Sequence, residues 1–128
     1  MTRTELIERY RGYIDCLNRQ AWEELGQFVG DGVRYNGAEV GLAGYRAMLE
    51  DDFRAIPDLR FQIQLLVCDP PGIASRLHFD CAPIGLLFDL PVNGRRVRFD
   101  ENVFYEFAYG RIAEVWSIID KAAIARQL

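Results

Sequence analysis

The stretch from Tyr109 to Leu128, YGRIAEVWSIIDKAAIARQL, decides the fold. Tyr109-Gly110-Arg111 is a turn signal, and the residues after it alternate as a strand. Ile112, Glu114, Trp116, Ile118 and Asp120 fall on one face, and Ala113, Val115, Ser117 and Ile119 on the other. Apolar residues on both faces predict a central strand with both sides at least partly covered. Asp120 shares the face of Trp116 and stands where the strand gives way to a short final helix, Lys121 to Gln127. A carboxylate at that junction suits a helix cap or a catalytic acid or base, and the two roles are compatible.

Working back from this strand, three more long strands are legible. Leu59 to Val67 alternates Leu59, Phe61, Ile63, Leu65 and Val67 against Arg60, Gln62 and Gln64. Asp69-Pro70-Pro71-Gly72 closes a hairpin, and Ile73 to Ala82 returns with Leu77, Phe79 and Cys81 opposite Arg76, His78 and Asp80. After the loop Pro83 to Gly94, Arg95 to Phe107 sets Val97, Phe99, Glu101, Val103, Tyr105 and Phe107 on one side. Arg96, Arg98, Asp100, Asn102, Phe104 and Glu106 take the other.

The N-terminal part is helical. Thr4 to Leu17 carries an apolar stripe, with Thr4 as N-cap and no capping box, because Ile7 stands where the box needs Glu or Gln. A short second helix runs from Ala21 to Val29, a short strand from Gly32 to Asn36, and a third helix from Leu42 to Ala55, stopped by Pro57. Helices followed by consecutive hairpin strands predict one α+β domain over residues 1–128. A cone-shaped, curved antiparallel (mixed) sheet wraps around three N-terminal helices, with a short C-terminal helix. The interior of such a cone is a natural site for a hydrophobic small molecule.

Bulk properties narrow the function. A net charge of -4 and a pI near 5.0 argue against nucleic acid or an anionic membrane as the main partner. Arg95, Arg96 and Arg98 read as a solvated edge. Cys16, Cys68 and Cys81 lack metal-ligand spacing, and the single His78 cannot complete a zinc site, so no metal is expected. No apolar stretch follows the opening Met-Thr-Arg and no run reaches 18 apolar residues, which predicts neither a signal peptide nor a membrane span. A reduced, cytoplasmic setting is the default. No nucleophile elbow, phosphate loop or dinucleotide fingerprint occurs.

Glu101 is the residue most at odds with its pattern, a carboxylate between Phe99 and Val103 on an apolar side. Buried there, its pKa is raised and it suits proton or hydrogen-bond donation; a bulge or an arginine partner is the structural alternative. Tyr10, Tyr13, Tyr35, Tyr45 and Tyr105 are either pocket hydroxyls or core aromatics. His78, with Arg76 and Asp80, reads as part of a cross-strand charge ladder.

Three segments carry a resemblance: FRAIPDLRF (Phe53 to Phe61), IGLLFDLPVNGRRVRF (Ile84 to Phe99) and GRIAEVWSIIDKAAIARQL. The chain resembles the SnoaL-like polyketide cyclases, within the superfamily that shares the nuclear transport factor 2 cone fold. The resemblance implies a tunnel-like pocket, no metal or cofactor, and an aspartate that removes an acidic proton to start an intramolecular aldol closure. That aspartate matches Asp120. A pocket glutamine matches Glu101, and the family's two histidines fall at Val103 and Pro83. GYIDCLN is similar to the first-helix segment of ketosteroid isomerases, whose oxyanion-hole tyrosine matches Tyr13, while their two aspartates fall at Asn36 and Val103.

The sequence thus predicts a cofactor-independent enzyme acting on a hydrophobic, carbonyl-bearing molecule by proton abstraction, leading to aldol cyclisation, isomerisation or dehydration. Asp120 is the expected base and a neutral Glu101 the hydrogen-bond donor. Tyr13 and Asn36 orient the substrate, and Phe79, Pro83, Phe99, Val103, Tyr105 and Trp116 surround it. The alternative is a non-catalytic binding or dimerisation module. The resemblance implies a homodimer through the outer sheet face, where Arg60, Gln62, Gln64, Arg76 and His78 predict a wet, salt-sensitive contact.

Overall fold

The computed structural model describes all 128 residues. Helix α1 spans Arg3–Arg19 and starts earlier than Thr4 because Thr2-Arg3-Thr4-Glu5 is a capping box. The Thr2 hydroxyl accepts from the Glu5 N–H at 3.1 Å, and the Glu5 carboxylate accepts from the Thr2 N–H at 2.9 Å. This corrects the expectation of a Thr4 cap without a box. The second helical segment is one 3-10 stretch, Trp22–Gln27, and Val29, expected at its end, instead opens strand β1, Val29–Tyr35. Six residues without a side-chain cap are too few for a stable α-helix, and 3-10 geometry is the common form of such short pieces.

The chain continues through β2 (Ala38–Glu39), α2 (Gly41–Ala55), β3 (Gln62–Asp69) and β4 (Gly72–Cys81). A small hairpin of β5 (Leu86–Leu87) and β6 (Leu90–Pro91) follows, then β7 (Val97–Ala108), β8 (Arg111–Ile119) and α3 (Lys121–Arg126). The six-stranded sheet has the order β2-β1-β8-β7-β4-β3, and β8 is central in it. Only the β1–β8 pair is parallel. The helices and the inner sheet face enclose one apolar core that includes Tyr10, Tyr13, Leu17, Tyr45, Leu77 and Val103. Asn18 ties α1 to the chain entering β3, donating to the Phe61 carbonyl at 3.0 Å and accepting from its N–H at 2.8 Å.

Two irregularities reverse parts of the predicted alternation. In β3 the register against β4 slips between Ile63 and Leu65. Leu65 and Val67 are therefore exposed, at 55% and 57%, while Cys68 is buried. In β8 the register against β7 shifts between Glu106 and Phe107, leaving Ala113 unpaired between Ile112 and Glu114. Ile112 and Val115 are both buried as a result, and Ser117 follows them inward. One extra residue turns every later side chain to the opposite face. Trp116 and Ile118, expected inside with Asp120, stand on the outer face at 43% and 75% exposure.

The outer face is accordingly not the polar surface predicted. Val67, Ala74, Phe104 and Trp116 lie in register across β3, β4, β7 and β8 as an apolar row. A polar ladder does occupy the other end, where His78 meets Asp100 at 2.8 Å and Asp80 is bridged by Arg96 at 3.0 Å and Arg98 at 3.1 Å. No helix is long and apolar enough to cross a membrane.

Candidate active site

The regular alternation of β7 aims Phe99, Glu101, Val103 and Tyr105 into the cone. A cavity of about 340 Å³ opens between this strand, α2 and the β5–β6 hairpin, walled by Tyr35, Ile56, Phe61, Phe79, Phe99 and Ile119. Phe79 stacks on Phe99 with centroids 5.1 Å apart, and Phe61 meets Phe79 edge-on at 5.3 Å. Leu87 and Phe88 border it from the hairpin loop, where Phe88 and Asp89 take the left-handed backbone of a tight turn. The Lys121 ammonium lies 5.0 Å above the Phe88 ring, so the start of α3 holds this rim. A narrow extension of about 50 Å³ runs deeper, lined by Tyr13, Tyr45, Leu77, Val103, Tyr105 and Val115. Glu101, Asp52, Tyr35, Met48 and Phe61 line both parts.

Glu101 sits where the two parts meet. Burial pushes its carboxyl above the ordinary value, and the Ser117 hydroxyl, which donates to it, pulls partly back. No arginine neutralises it, and Asp51, Asp52 and Glu101 are the only charged residues lining either part. Asp52 is exposed at the mouth of the cavity that it lines. Surrounding protein and then the nearby Glu101 charge push its carboxyl up to about 7. In the deep part the Tyr13 and Tyr45 hydroxyls are 2.7 Å apart. One proton serves that bond, which leaves the other free to donate to a guest. Burial raises both hydroxyls well above the ordinary tyrosine value, so they stay protonated donors.

The structure brings together Glu101, Tyr13, Phe79, Phe99, Val103 and Tyr105 of the predicted site residues. It does not bring in the rest. Asp120 is exposed, accepts from the Ala123 N–H at 3.0 Å as the N-cap of α3, and lines neither part of the cavity. The Asn36 amide is occupied by the backbone of β8, accepting from the Ser117 N–H at 2.8 Å and donating to its carbonyl at 3.3 Å. Pro83 is buried outside the lining, where its carbonyl accepts from Gly94 at 2.7 Å. Trp116 is outside the cone because of the β8 bulge. No group of three or more His, Cys, Asp or Glu side chains is arranged to hold a metal ion.

The sequence model of the SnoaL-like polyketide cyclases matches residues 7–128. The chain belongs to that family. Its backbone agrees with a crystal structure of a SnoaL-like polyketide cyclase from Agrobacterium tumefaciens at a TM-score of 0.95 and 54% identity, covering 99% of this chain and 98% of that one. TsrD from Streptomyces laurentii matches at 0.87 with 20% identity over 99% and 96% of the two chains, which shows the shared fold. IdmH from Streptomyces antibioticus does so at 0.81 with 17% identity over 94% and 95%. No curated protein matches in sequence.

Asp52 and Ser117 escaped the sequence reading. Asp52 sits in the acidic run Glu50-Asp51-Asp52, which resembles a solvated helix face. The signal was its spacing: it lies three, four and seven positions after Leu49, Met48 and Tyr45, on the inward stripe of α2. Ser117 was placed on a face without a partner, because the β8 bulge hid its position diagonal to Glu101.

Proposed function

We propose that this protein is a cyclase-type enzyme that binds a neutral, hydrophobic, carbonyl-bearing small molecule in the cone and begins by removing a proton next to the carbonyl. The observation that carries this reading is Glu101, a carboxylate without a cationic partner at the meeting point of an aromatic-walled cavity and a hydroxyl-lined extension. A module built only to bind apolar guests has no use for such a group. Proton abstraction needs a base of raised basicity and a donor for the developing enolate oxygen, and Tyr13 with Tyr45 supplies the donor. Aldol closure, isomerisation and dehydration share this first step. No cofactor enters the proposed step.

The lining supports a limit on the substrate. Its charged groups are carboxylates, so an anionic guest is repelled in a low-dielectric setting. At about 340 Å³ the cavity is near the small end of ligand sites, which suits one or two fused rings. A thermal-shift comparison tests this. The neutral ketone 2-tetralone should raise the melting temperature, and 2-naphthoate, of similar size, should not. Stabilisation by the carboxylate alone would overturn the reading.

In this proposal Asp120 serves as the cap of α3 and Glu101 takes the role of base. Two copies pair through the apolar row of the outer sheet face, and three unpaired, buried thiols suit a reducing cytoplasm.

A further inference from the structure

We propose that Asp52 is the second catalytic group of the cavity, a carboxylic acid that holds a proton while Glu101 is ionised and delivers it to the substrate's carbonyl oxygen. The inference rests on the proton-abstraction reading above and adds where the acid comes from. Asp52 and Glu101 come from different elements, α2 and β7, yet both line the outer cavity and its deep extension. A guest that fills both parts of the cavity therefore touches both carboxyls.

Their surroundings differ in a way that assigns the proton. The Ser117 hydroxyl donates to Glu101 and favours its ionised form, whereas no protein N–H or O–H donates to the Asp52 carboxyl. Two carboxylates in one cavity without a cation cannot both ionise cheaply, so the one lacking a donor keeps the proton. The other groups facing Asp52 do not relieve this. Asp51, on the same helix, is another acid and is engaged by Arg54, and Tyr35 of β1 is a neutral hydroxyl.

The step balances within the pair. The Glu101 carboxylate takes the α-proton, the C–H electrons form the enol double bond, and the carbonyl oxygen takes the Asp52 proton. Glu101 is then neutral and Asp52 ionised. When the enol carbon attacks a second carbonyl of the same molecule, Asp52 recovers the enol O–H proton and Glu101 protonates the new alkoxide. The pair returns to its starting state with one proton.

Carboxyl-carbon NMR of protein labelled at Asp and Glu tests this without a substrate, with Asp52→Asn and Glu101→Gln giving the assignments. Asp52 should titrate near pH 7, and in Glu101→Gln its midpoint should fall while staying above the ordinary range, because the surrounding protein still desolvates the carboxyl. An Asp52 midpoint in the ordinary carboxylate range, or one that Glu101→Gln leaves unmoved, overturns the proposal. Exchange of the α-protons of 2-tetralone in heavy water separates this from the parent reading. If wild type and Asp52→Asn exchange equally fast while Glu101→Gln is slow, the Asp52 role fails and proton abstraction stands. If wild type does not accelerate exchange, both fall. Circular dichroism confirms that each variant is folded.

Discussion

At the scale of single residues, the proposed chemistry needs two carboxyls that the fold keeps from ionising freely. Glu101 was legible from the sequence because strict alternation in β7 leaves it no other face. Asp52 was not, since an acidic run on a helix ordinarily faces water and only its spacing from Tyr45 and Met48 says otherwise. Both pKa values are raised, and the consequence for stability has a definite sign. A carboxyl with a higher pKa folded than unfolded favours the fold in its neutral form. For Asp52 that contribution is complete below the unfolded value near 4 and is lost as pH rises through about 7. Asp52→Asn should therefore remove part of the decline in melting temperature between about pH 4 and pH 7. Calorimetry across that range checks it, and a variant profile parallel to wild type would contradict a raised Asp52 carboxyl.

At the scale of elements, strand identity and order were readable while side-chain phase was not. Periodicity located β3 and β8, but each contains a one-residue irregularity: in β3 the run Leu65-Leu66-Val67 breaks the alternation where the register slips, whereas in β8 both faces are apolar and the bulge leaves no mark. The expectation for Trp116 failed for that reason. The Asp120 junction was foreseen as a cap or a catalytic group, and the side chain's hydrogen bond to the Ala123 N–H fits the cap. Asp120→Ala should cost about 1 kcal/mol of stability, while Asp120→Asn, which can still cap, should cost less. Both should exchange the α-protons of 2-tetralone at the wild-type rate. Loss of exchange in a stable Asp120→Asn would return the role of base to Asp120.

At the scale of the whole molecule, helix-then-hairpin order pointed to helices packed on a curved sheet, and the three segments that resemble the SnoaL-like family carried the cone. The outer face was misjudged, since the bulges move Leu65, Val67, Trp116 and Ile118 onto it and join them to Phe104. A charged residue in the middle of that row should keep the fold and lose self-association. Light scattering of Phe104→Glu should give the monomer mass with unchanged circular dichroism, and an unaltered dimer mass would remove the row from the interface. The inner face carries the central claim, that Glu101 takes a proton from a carbonyl compound held in the cone. Proton NMR of 2-tetralone in heavy water, with wild type and Glu101→Gln side by side, tests it most directly. Exchange of the α-protons should be faster than in buffer with wild type and slower by about 100-fold or more in Glu101→Gln; equal rates for the two proteins would contradict this role of Glu101.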